Sequence, residues 1–488
     1  MSENKNKKIT SNFLWRFLER CGAQGVTLVV SIVLARLLDP DAYGVIALVT
    51  VFTSVLQVFV DGGLANALIQ KKNADDLDFS SVFYANLAVC IALYVLMFFA
   101  APLIAGFYNR PNLTSVIRVL SLTLVISGLK NVQQAYVSKN LLFKRFFFAT
   151  LGGTIGAAVL GIWMAYRGYG VWALVAQHLF NTTVDTIILW ATVKWRPKRL
   201  FSIQRLKLLF GYGWKLLASN LLDTVYNNLR QLIIGKKYSS EDLAFYNKGK
   251  TYPNMFVTSI NTSIDSVLFP VMSAEQDNKQ RVREMTRRSI KISTYLMMPL
   301  MMGLSVCAEP LIRLILTDKW LPCVPFLRIF CFTYAFYPIH TANLNAIKAL
   351  GRSDMFLKLE IIKKLVGLAL IATTMWISVY AMALSLIVSS VLSQMINSWP
   401  NRKLLNYSYR QQISDILPAL LLTAVMGVVV YCVQFFNLND WLTLLIQIPV
   451  GGAMYIIGSK ILHLDSYDYF LSILRSFIHK RKGMKTTK

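Results

Sequence analysis

Residues 12–37 read NFLWRFLERCGAQGVTLVVSIVLARL, and residues 208–235 read LLFGYGWKLLASNLLDTVYNNLRQLIIG. Each stretch is long enough to cross a bilayer, which takes roughly 20 largely apolar residues. Each also carries one polar stripe. The first holds Arg16, Arg20, Gln24, Thr27 and Ser31; the second, 199 positions on, holds Lys215, Ser219, Asp223, Tyr226 and Arg230. Steps of 4, 4, 3 and 4 keep each set on a single helical face. The helices are otherwise apolar, so neither stripe can face lipid. Two pseudo-equivalent helices that each turn polar groups inward are what a water-accessible path through a membrane carrier requires.

The rest of the chain agrees with that environment. Of 488 residues, 55% are hydrophobic and 15% charged, with a mean hydropathy of +0.49. The expected fold class is an all-α polytopic membrane protein. Fourteen spans are expected, near residues 12–37, 43–70, 79–107, 112–138, 146–166, 171–193, 208–235, 243–272, 289–316, 323–347, 357–378, 380–399, 414–436 and 441–462. A net charge of +27 suggests nucleic acid until position is considered. With the N-terminus inside, the cytoplasmic segments carry about 31 Lys and Arg and the opposite loops about six. The densest basic groups run from Lys194 to Lys207, from Lys279 to Arg288, and from Arg475 to Lys488. This bias supports an even span count with both termini in the cytoplasm, and argues against a nucleic-acid partner. The six cysteines fall in or beside apolar spans with no Cys-x-x-Cys pair, so they read as packing residues.

The duplication continues beyond the stripes. The turn Arg36–Tyr43 resembles Lys237–Phe245, Val60-Asp61 aligns with Ile264-Asp265, and Pro102-Leu103-Ile104 aligns with Pro310-Leu311-Ile312. Ile117-Arg118-Val119 then aligns with Leu327-Arg328-Ile329. The offset grows steadily from 199 to 210, as short loop insertions would produce. Each unit has an even number of spans, so the repeats run parallel. The expected division is an N-lobe at 1–200, a C-lobe at 201–400, a two-helix appendix at 401–464 and a basic tail at 465–488. The basic hinge 194–207 joins the repeats, and the linker Pro400–Ser414 precedes the appendix. Tyr467, Phe470, Leu471, Leu474, Phe477 and Ile478 recur at helical spacing. Such a helix lies on the inner leaflet or docks against the bundle.

In-span charges are the candidate functional groups. Arg16, Lys215, Arg230, Lys248, Arg313, Lys363, Lys364 and Lys460 lie within two turns of a span end, where snorkelling is a sufficient explanation. Arg20, Lys130, Arg118 and Arg328 lie deeper. A lone charge in a span costs roughly 2.5–3.5 kcal/mol on insertion scales, and repeating that cost with one sign of charge points to an anionic ligand. Asp223 is the only carboxylate on the second stripe; it can bind a cation, take a proton, or neutralise Lys215 or Arg230. Asp61 and Asp265 are repeat mates, and Asp61-Gly62-Gly63 reads as a helix distortion or cap in preference to a proton site. His178, His340, His463 and His479 are far apart, and no nucleotide-binding loop is present. Gly152-Gly153-Thr154-Ile155-Gly156 lies inside an apolar span, where close helix packing is expected. No catalytic residue, cofactor or metal site is expected, and the chain is not expected to be an enzyme.

Trp15-Arg16, the run Leu34-Ala35-Arg36-Leu37-Leu38-Asp39-Pro40-Asp41-Ala42-Tyr43-Gly44, and Asp61-Gly62-Gly63-Leu64-Ala65-Asn66-Ala67-Leu68-Ile69 carry a family resemblance. The chain resembles the Wzx-type polysaccharide and lipid-linked oligosaccharide flippases of the MOP exporter superfamily, with a pattern like the colanic acid and teichuronic acid exporters. The similarity spans nearly everything except the tail. It implies two six-helix lobes in a V around a cationic cavity lined by the first and seventh helices, plus two extra helices. It further implies export, by alternating access, of oligosaccharide on undecaprenyl pyrophosphate from the cytoplasmic leaflet of the bacterial inner membrane, alongside polysaccharide polymerase machinery. Phosphates and sugars would then be held by Arg16, Arg20, Lys130, Lys215 and Arg230, with Arg118 and Arg328 nearer the exit. In related flippases the last two helices form a groove for the lipid tail. Some relatives bind sodium at an acidic site in the second lobe. Asp223 is the nearest candidate here for a coupling H+ or Na+, although the eleventh span offers Thr373 and Thr374 but no carboxylate. A cation-coupled multidrug antiporter should show an acidic cavity, which the basic stripe opposes. A membrane-embedded glycan polymerase or ligase needs a large external loop, and every loop here is short.

Overall fold

Leu64, Leu113 and Leu122 each open a helix directly after a break, and those breaks give the chain its segmented character. The computed structural model describes residues 22, 24–61, 63–71, 73–140 and 143–469. Among the described residues every regular element is helical. The first half contains α1 (Gln24–Leu37), then α2 (Pro40–Asp61), α3 (Leu64–Gln70), α4 (Asp76–Phe107), α5 (Leu113–Leu120), α6 (Leu122–Lys139), α7 (Phe143–Tyr166), α8 (Val171–Thr192) and α9 (Ile203–Lys237). The second half contains α10 (Ser240–Ala274), α11 (Lys279–Val306), α12 (Ala308–Leu316), α13 (Val324–Ala335), α14 (Tyr337–Ala349), α15 (Ser353–Thr374), α16 (Val379–Leu404), α17 (Tyr409–Cys432) and α18 (Asp440–Ile461).

Among the described residues nine helical segments are long and apolar enough to cross a membrane, and α1 and Thr150–Tyr166 are shorter apolar helices. This is a multi-pass membrane protein. Two of the fourteen expected spans, 12–37 and 146–166, are represented by these shorter helices, the first running partly over residues outside those described, and three others differ for a chemical reason. The missing full-length helices, α8, α9 and α15, carry interior polar and charged residues such as Asp185, Asp223 and Glu360, which lower their hydropathy. The fourth span of each repeat is interrupted, by Ser121 between α5 and α6 and by Phe336 between α13 and α14.

The chain forms two compact units, Met1–Ala244 and Phe245–Lys488. The division falls inside α10, later than the repeat boundary expected at residue 200, because α9 packs on the helices of the first unit. Gly235 sits where an added Cβ would strike the Leu48 side chain, and Gly63 and Gly213 bring their backbones together with Cβ positions under 3 Å from the opposing chain. Gly63 has φ +66°, a conformation that suits glycine, and it separates α2 from α3. The glycines of α7 serve the same purpose. A Cβ on Gly153 would lie 2.8 Å from Asn181 Oδ1, and one on Gly156 2.6 Å from Phe180, so the Gly152–Gly156 run is a helix-packing surface.

The basic hinge is strapped to the start of α4. Asp75 caps α4 in a reciprocal capping box with Asp78, and the backbone N–H of Asp78 together with the nearby Arg205 holds the Asp75 carboxyl below the usual range. Lys198 pairs with Asp76 at 2.6 Å and Arg205 with the fully buried Asp78 at 3.4 Å. The backbone N–H groups of Lys198 and Ser202 donate to the Ser80 and Ser81 hydroxyls. Around them Phe79, Phe83, Tyr136 and Trp195 form an aromatic core.

In the second unit α17 packs on α11. Tyr295 donates to the Ser459 hydroxyl at 3.0 Å, and Tyr455 donates to the Tyr295 carbonyl at 2.9 Å. Arg287 forms a two-pronged pair with Asp415, at 2.7 and 2.6 Å. The linker is shorter than the expected Pro400–Ser414, since α16 runs to Leu404 and α17 starts at Tyr409, leaving a tight turn. Of the tail, residues 465–469 dock on α11 through Lys291–Asp465 at 3.1 Å and through Arg288 over the Tyr469 ring at 3.6 Å. The rest of the tail lies outside the described residues.

Candidate functional site

The site begins with α9, whose polar face is open. Lys215, Ser219 and Asp223 are exposed, Tyr226 is partly buried and Arg230 is buried. On α1, Gln24 and Thr27 are exposed and Ser31 is partly buried. Arg16 and Arg20, the cationic end of that stripe, lie outside the described residues. A membrane protein that exposes Lys, Ser and Asp along one helical face must give that face water, because a charged side chain in hydrocarbon is costly.

The deeper cations read differently in the structure. Lys130 on α6 pairs with Asp185 on α8 at 2.7 Å, with side-chain exposures of 17% and 12%. In the sequence Lys130 looks like an uncompensated charge; the fold supplies its counter-ion. Asp185 is hard to single out along the chain, because it is flanked by Thr182-Thr183-Val184 and Thr186-Ile187-Ile188 with no charge nearby. The available signal is a carboxylate in mid-span together with a lysine on another span. Close by, Asn131 donates to the Val60 carbonyl and Gln57 donates to Asp61 at 3.0 Å. Asp61 ends α2, immediately before the break at Gly63. Its mate Asp265 is exposed on α10 and lies 3.9 Å from the Lys348 ammonium.

Arg118 and Arg328 also have local tasks. Arg118 Nε donates to the Phe98 carbonyl at 3.2 Å, and the guanidinium lies 4.2 Å from the Phe98 ring centroid. Arg328 Nε donates to the Ser305 carbonyl at 3.3 Å. In each repeat, therefore, the arginine of the short half-helix bonds a carbonyl near the end of the preceding span. The family resemblance makes both exit-side phosphate ligands; the fold uses part of their hydrogen-bonding capacity on backbone. Arg118 still borders an open cavity of about 490 Å³ with Tyr94, Phe98, Asn112 and Ser115.

The second unit holds polar groups that no sequence pattern marks. Glu360 and Lys363 pair at 2.6 Å on α15, and the Asn397 amide lies 3.2 Å from His340 Nδ1. Asn343 bonds both Gln412 and Asn401, at 2.9 and 2.7 Å, which ties α14 to α16 and α17. Among the described residues no group of three or more His, Cys, Asp or Glu side chains is arranged to hold a metal ion.

Interrupted fourth spans, a polar exposed face on a long helix and glycine-tight helix crossings characterise this polytopic fold. The solved lipid II flippase MurJ, in an inward closed conformation, matches with a TM-score of 0.74 at 16% identity, over 93% of this chain and 99% of that one. An inward-facing multidrug resistance MATE family transporter of the MOP superfamily matches with a TM-score of 0.63 at 14% identity, over 78% and 94% of the two chains. The fold is thus the one that these two solved structures share.

The family follows from the sequence itself. A family model described as "Polysaccharide biosynthesis protein" matches residues 33–325, and the chain belongs to that family. Relatives include the teichuronic acid biosynthesis protein TuaB of Bacillus subtilis, 24% identical over 83% of this chain and 85% of that one. The succinoglycan biosynthesis transport protein ExoT of Rhizobium meliloti is 23% identical over 92% of each. The lipopolysaccharide biosynthesis protein WzxC of Escherichia coli is 22% identical over 87% and 88%.

Proposed function

We propose that this protein is a flippase that moves undecaprenyl-pyrophosphate-linked oligosaccharide from the cytoplasmic to the outer leaflet of a bacterial cytoplasmic membrane. The observation that carries this reading is the open polar face of α9, with Lys215 and Asp223 exposed on a helix of a membrane protein from a polysaccharide biosynthesis family. Lys215 attracts the pyrophosphate, joined by Arg16 and Arg20 of the matching stripe. Asp223 balances charge or binds a coupling cation. The isoprenoid tail remains in lipid, and α17 and α18 guide it. Alternating access then presents the headgroup to the opposite side.

The repeats at 1–200 and 201–400, the appendix at 401–464, fourteen spans and cytoplasmic termini complete this reading. Moving about two negative charges outward is downhill by roughly 4–5 kcal/mol per 100 mV of membrane potential, so the field alone favours export. The released glycan passes to polymerase machinery on the far side.

Purified protein in proteoliposomes, loaded with a fluorescent undecaprenyl-diphosphate oligosaccharide, tests the reading through quenching of the outer-leaflet label. Protein-dependent flipping that slows in Lys215→Gln is the expected result. A rate equal to that of protein-free liposomes overturns it.

A further inference from the structure

The offset of 204 residues that pairs Asp61 with Asp265 also pairs Thr50 with Asn254, Ser54 with Thr258 and Gln57 with Asn261. Four successive positions on one helical face are therefore polar at both registers, at steps of 4, 3 and 4; α2 is otherwise largely apolar, whereas α10 carries further polar residues at Thr251, Ser259, Thr262, Ser263 and Ser266. An unselected spanning helix has no reason to keep hydroxyl, amide and carboxylate groups in register twice. In α2 the stripe is largely partly buried, and its hydroxyls donate to their own helix, Thr50 to Ala47 and Ser54 to Val51. In α10 the stripe is open. Thr251, Asn254, Thr258, Thr262 and Asp265 are exposed, and Asn261 has a buried side-chain oxygen with no hydrogen-bond partner among the described residues.

The chemistry of the α10 stripe differs from that of α9. Its carboxylate, Asp265, has Lys348 beside it at 3.9 Å, and the other groups are uncharged. The Thr251 and Thr262 hydroxyls donate to the carbonyls of Asn247 and Thr258, at 2.9 and 2.6 Å, which leaves their oxygen lone pairs open as acceptors. Asn254 offers two donors and an acceptor. An amide or hydroxyl moved unbonded into hydrocarbon is costly, so this face needs a polar occupant. Alternating neutral donors and acceptors over several helical turns match the hydroxyl-rich surface of an extended sugar chain, whereas a phosphate needs cations.

We infer that the ladder Thr251, Asn254, Thr258, Asn261 and Thr262 of α10 binds the uncharged hydroxyls of the transported glycan. This rests on the flippase reading and deepens it: the neutral groups on α10 read the sugars of the transported molecule, whatever holds its diphosphate. Specificity for glycan length then resides in α10.

Proteoliposomes carrying two probes test the ladder. One probe is the producing strain's own undecaprenyl-diphosphate oligosaccharide; the other is undecaprenyl diphosphate bearing a single hexose. Thr258→Val and Asn254→Leu should each lower the rate for the oligosaccharide, relative to the single-hexose probe, by about 3- to 10-fold, the worth of one hydrogen bond. Thr258→Ser should keep the wild-type ratio, and Lys215→Gln should slow both probes alike. Asn254→Leu gives the same answer on its own if Thr258→Val does not fold. An unchanged ratio in the ladder variants, with wild type flipping both probes, overturns the ladder alone. Wild type flipping neither probe overturns the transport reading and the ladder with it.

Discussion

The Arg118 guanidinium donates through Nε to the Phe98 carbonyl at 3.2 Å, and Phe98 stands four residues before Pro102 inside α4. Proline has no N–H to offer the carbonyl four residues back. Arg118 thus supplies the donor that Pro102 removes. In the second repeat the mate, Arg328, bonds the Ser305 carbonyl at 3.3 Å, one of the last carbonyls of α11 and so without a full set of helical donors. Both arginines therefore serve the backbone where a span runs out of its own donors.

Arg118→Gln should destabilise the protein by about 1.5–3 kcal/mol, the range of a hydrogen bond that involves a charged group. In a Pro102→Ala background the same change should cost clearly less, because alanine at that position restores the helical N–H. A double-mutant cycle read by thermal unfolding in detergent measures the coupling. Strict additivity would show that Arg118 does not serve the Pro102 gap.

Lys130 and Asp185 form a mostly buried ion pair at 2.7 Å. Breaking such a pair on one side leaves an uncompensated charge and costs about 3–5 kcal/mol. Lys130→Met should lower the amount of folded protein in the membrane, and so should Asp185→Leu. The combination of both should recover most of it. If Lys130→Met leaves folded protein at wild-type levels while removing surface glycan, Lys130 acts on the substrate after all.

Gly63 and Gly213 hold α9 against the α2–α3 break. Gly63 sits at φ +66°, where a side chain costs roughly 1–2 kcal/mol, and its added Cβ would also strike the Gly213 carbonyl. Gly213→Ala should destabilise less than Gly63→Ala, since its Cβ meets only the Gly63 backbone, 2.7 Å away, with no penalty in φ. Melting temperatures of the two variants rank them, and equal losses would assign the whole effect to the crossing.

Asp415 joins Arg287, Lys291 and the Tyr407 hydroxyl, at 2.6, 3.6 and 2.8 Å. Its side chain is 5% exposed, so Asp415→Ala leaves the buried Tyr407 hydroxyl without its acceptor and removes the Arg287 link between α11 and α17, while Lys291 keeps Asp465. Loss of α17 packing should appear as faster labelling of Cys307, the buried cysteine that follows α11 and belongs to the core shared with α17, compared with wild type. Unchanged labelling would mean that the apolar α11–α17 core around Tyr295, Met426 and Tyr455 holds the appendix without the ion pairs.

The membrane class and the family were legible in the chain because each depends on local sequence. Apolar length predicts spans, and the run from Leu34 to Gly44 together with Asp61–Ile69 carries the family resemblance without coordinates. The α10 stripe shares a 204-residue register with α2, although only its exposure marks it as open. Partners across helices were not legible. Nothing near Lys130 in the sequence indicates Asp185, and nothing near Arg118 indicates the Phe98 carbonyl.

The sequence by itself determined that this chain crosses a membrane many times and keeps polar residues at helical spacing along several of its helices, since hydropathy and spacing are properties of the chain alone. Only the tertiary structure decided which of its in-span charges are spent inside the protein and which remain open. Charge compensation depends on distance in three dimensions. A lysine 55 residues from its carboxylate looks isolated until α6 and α8 pack side by side.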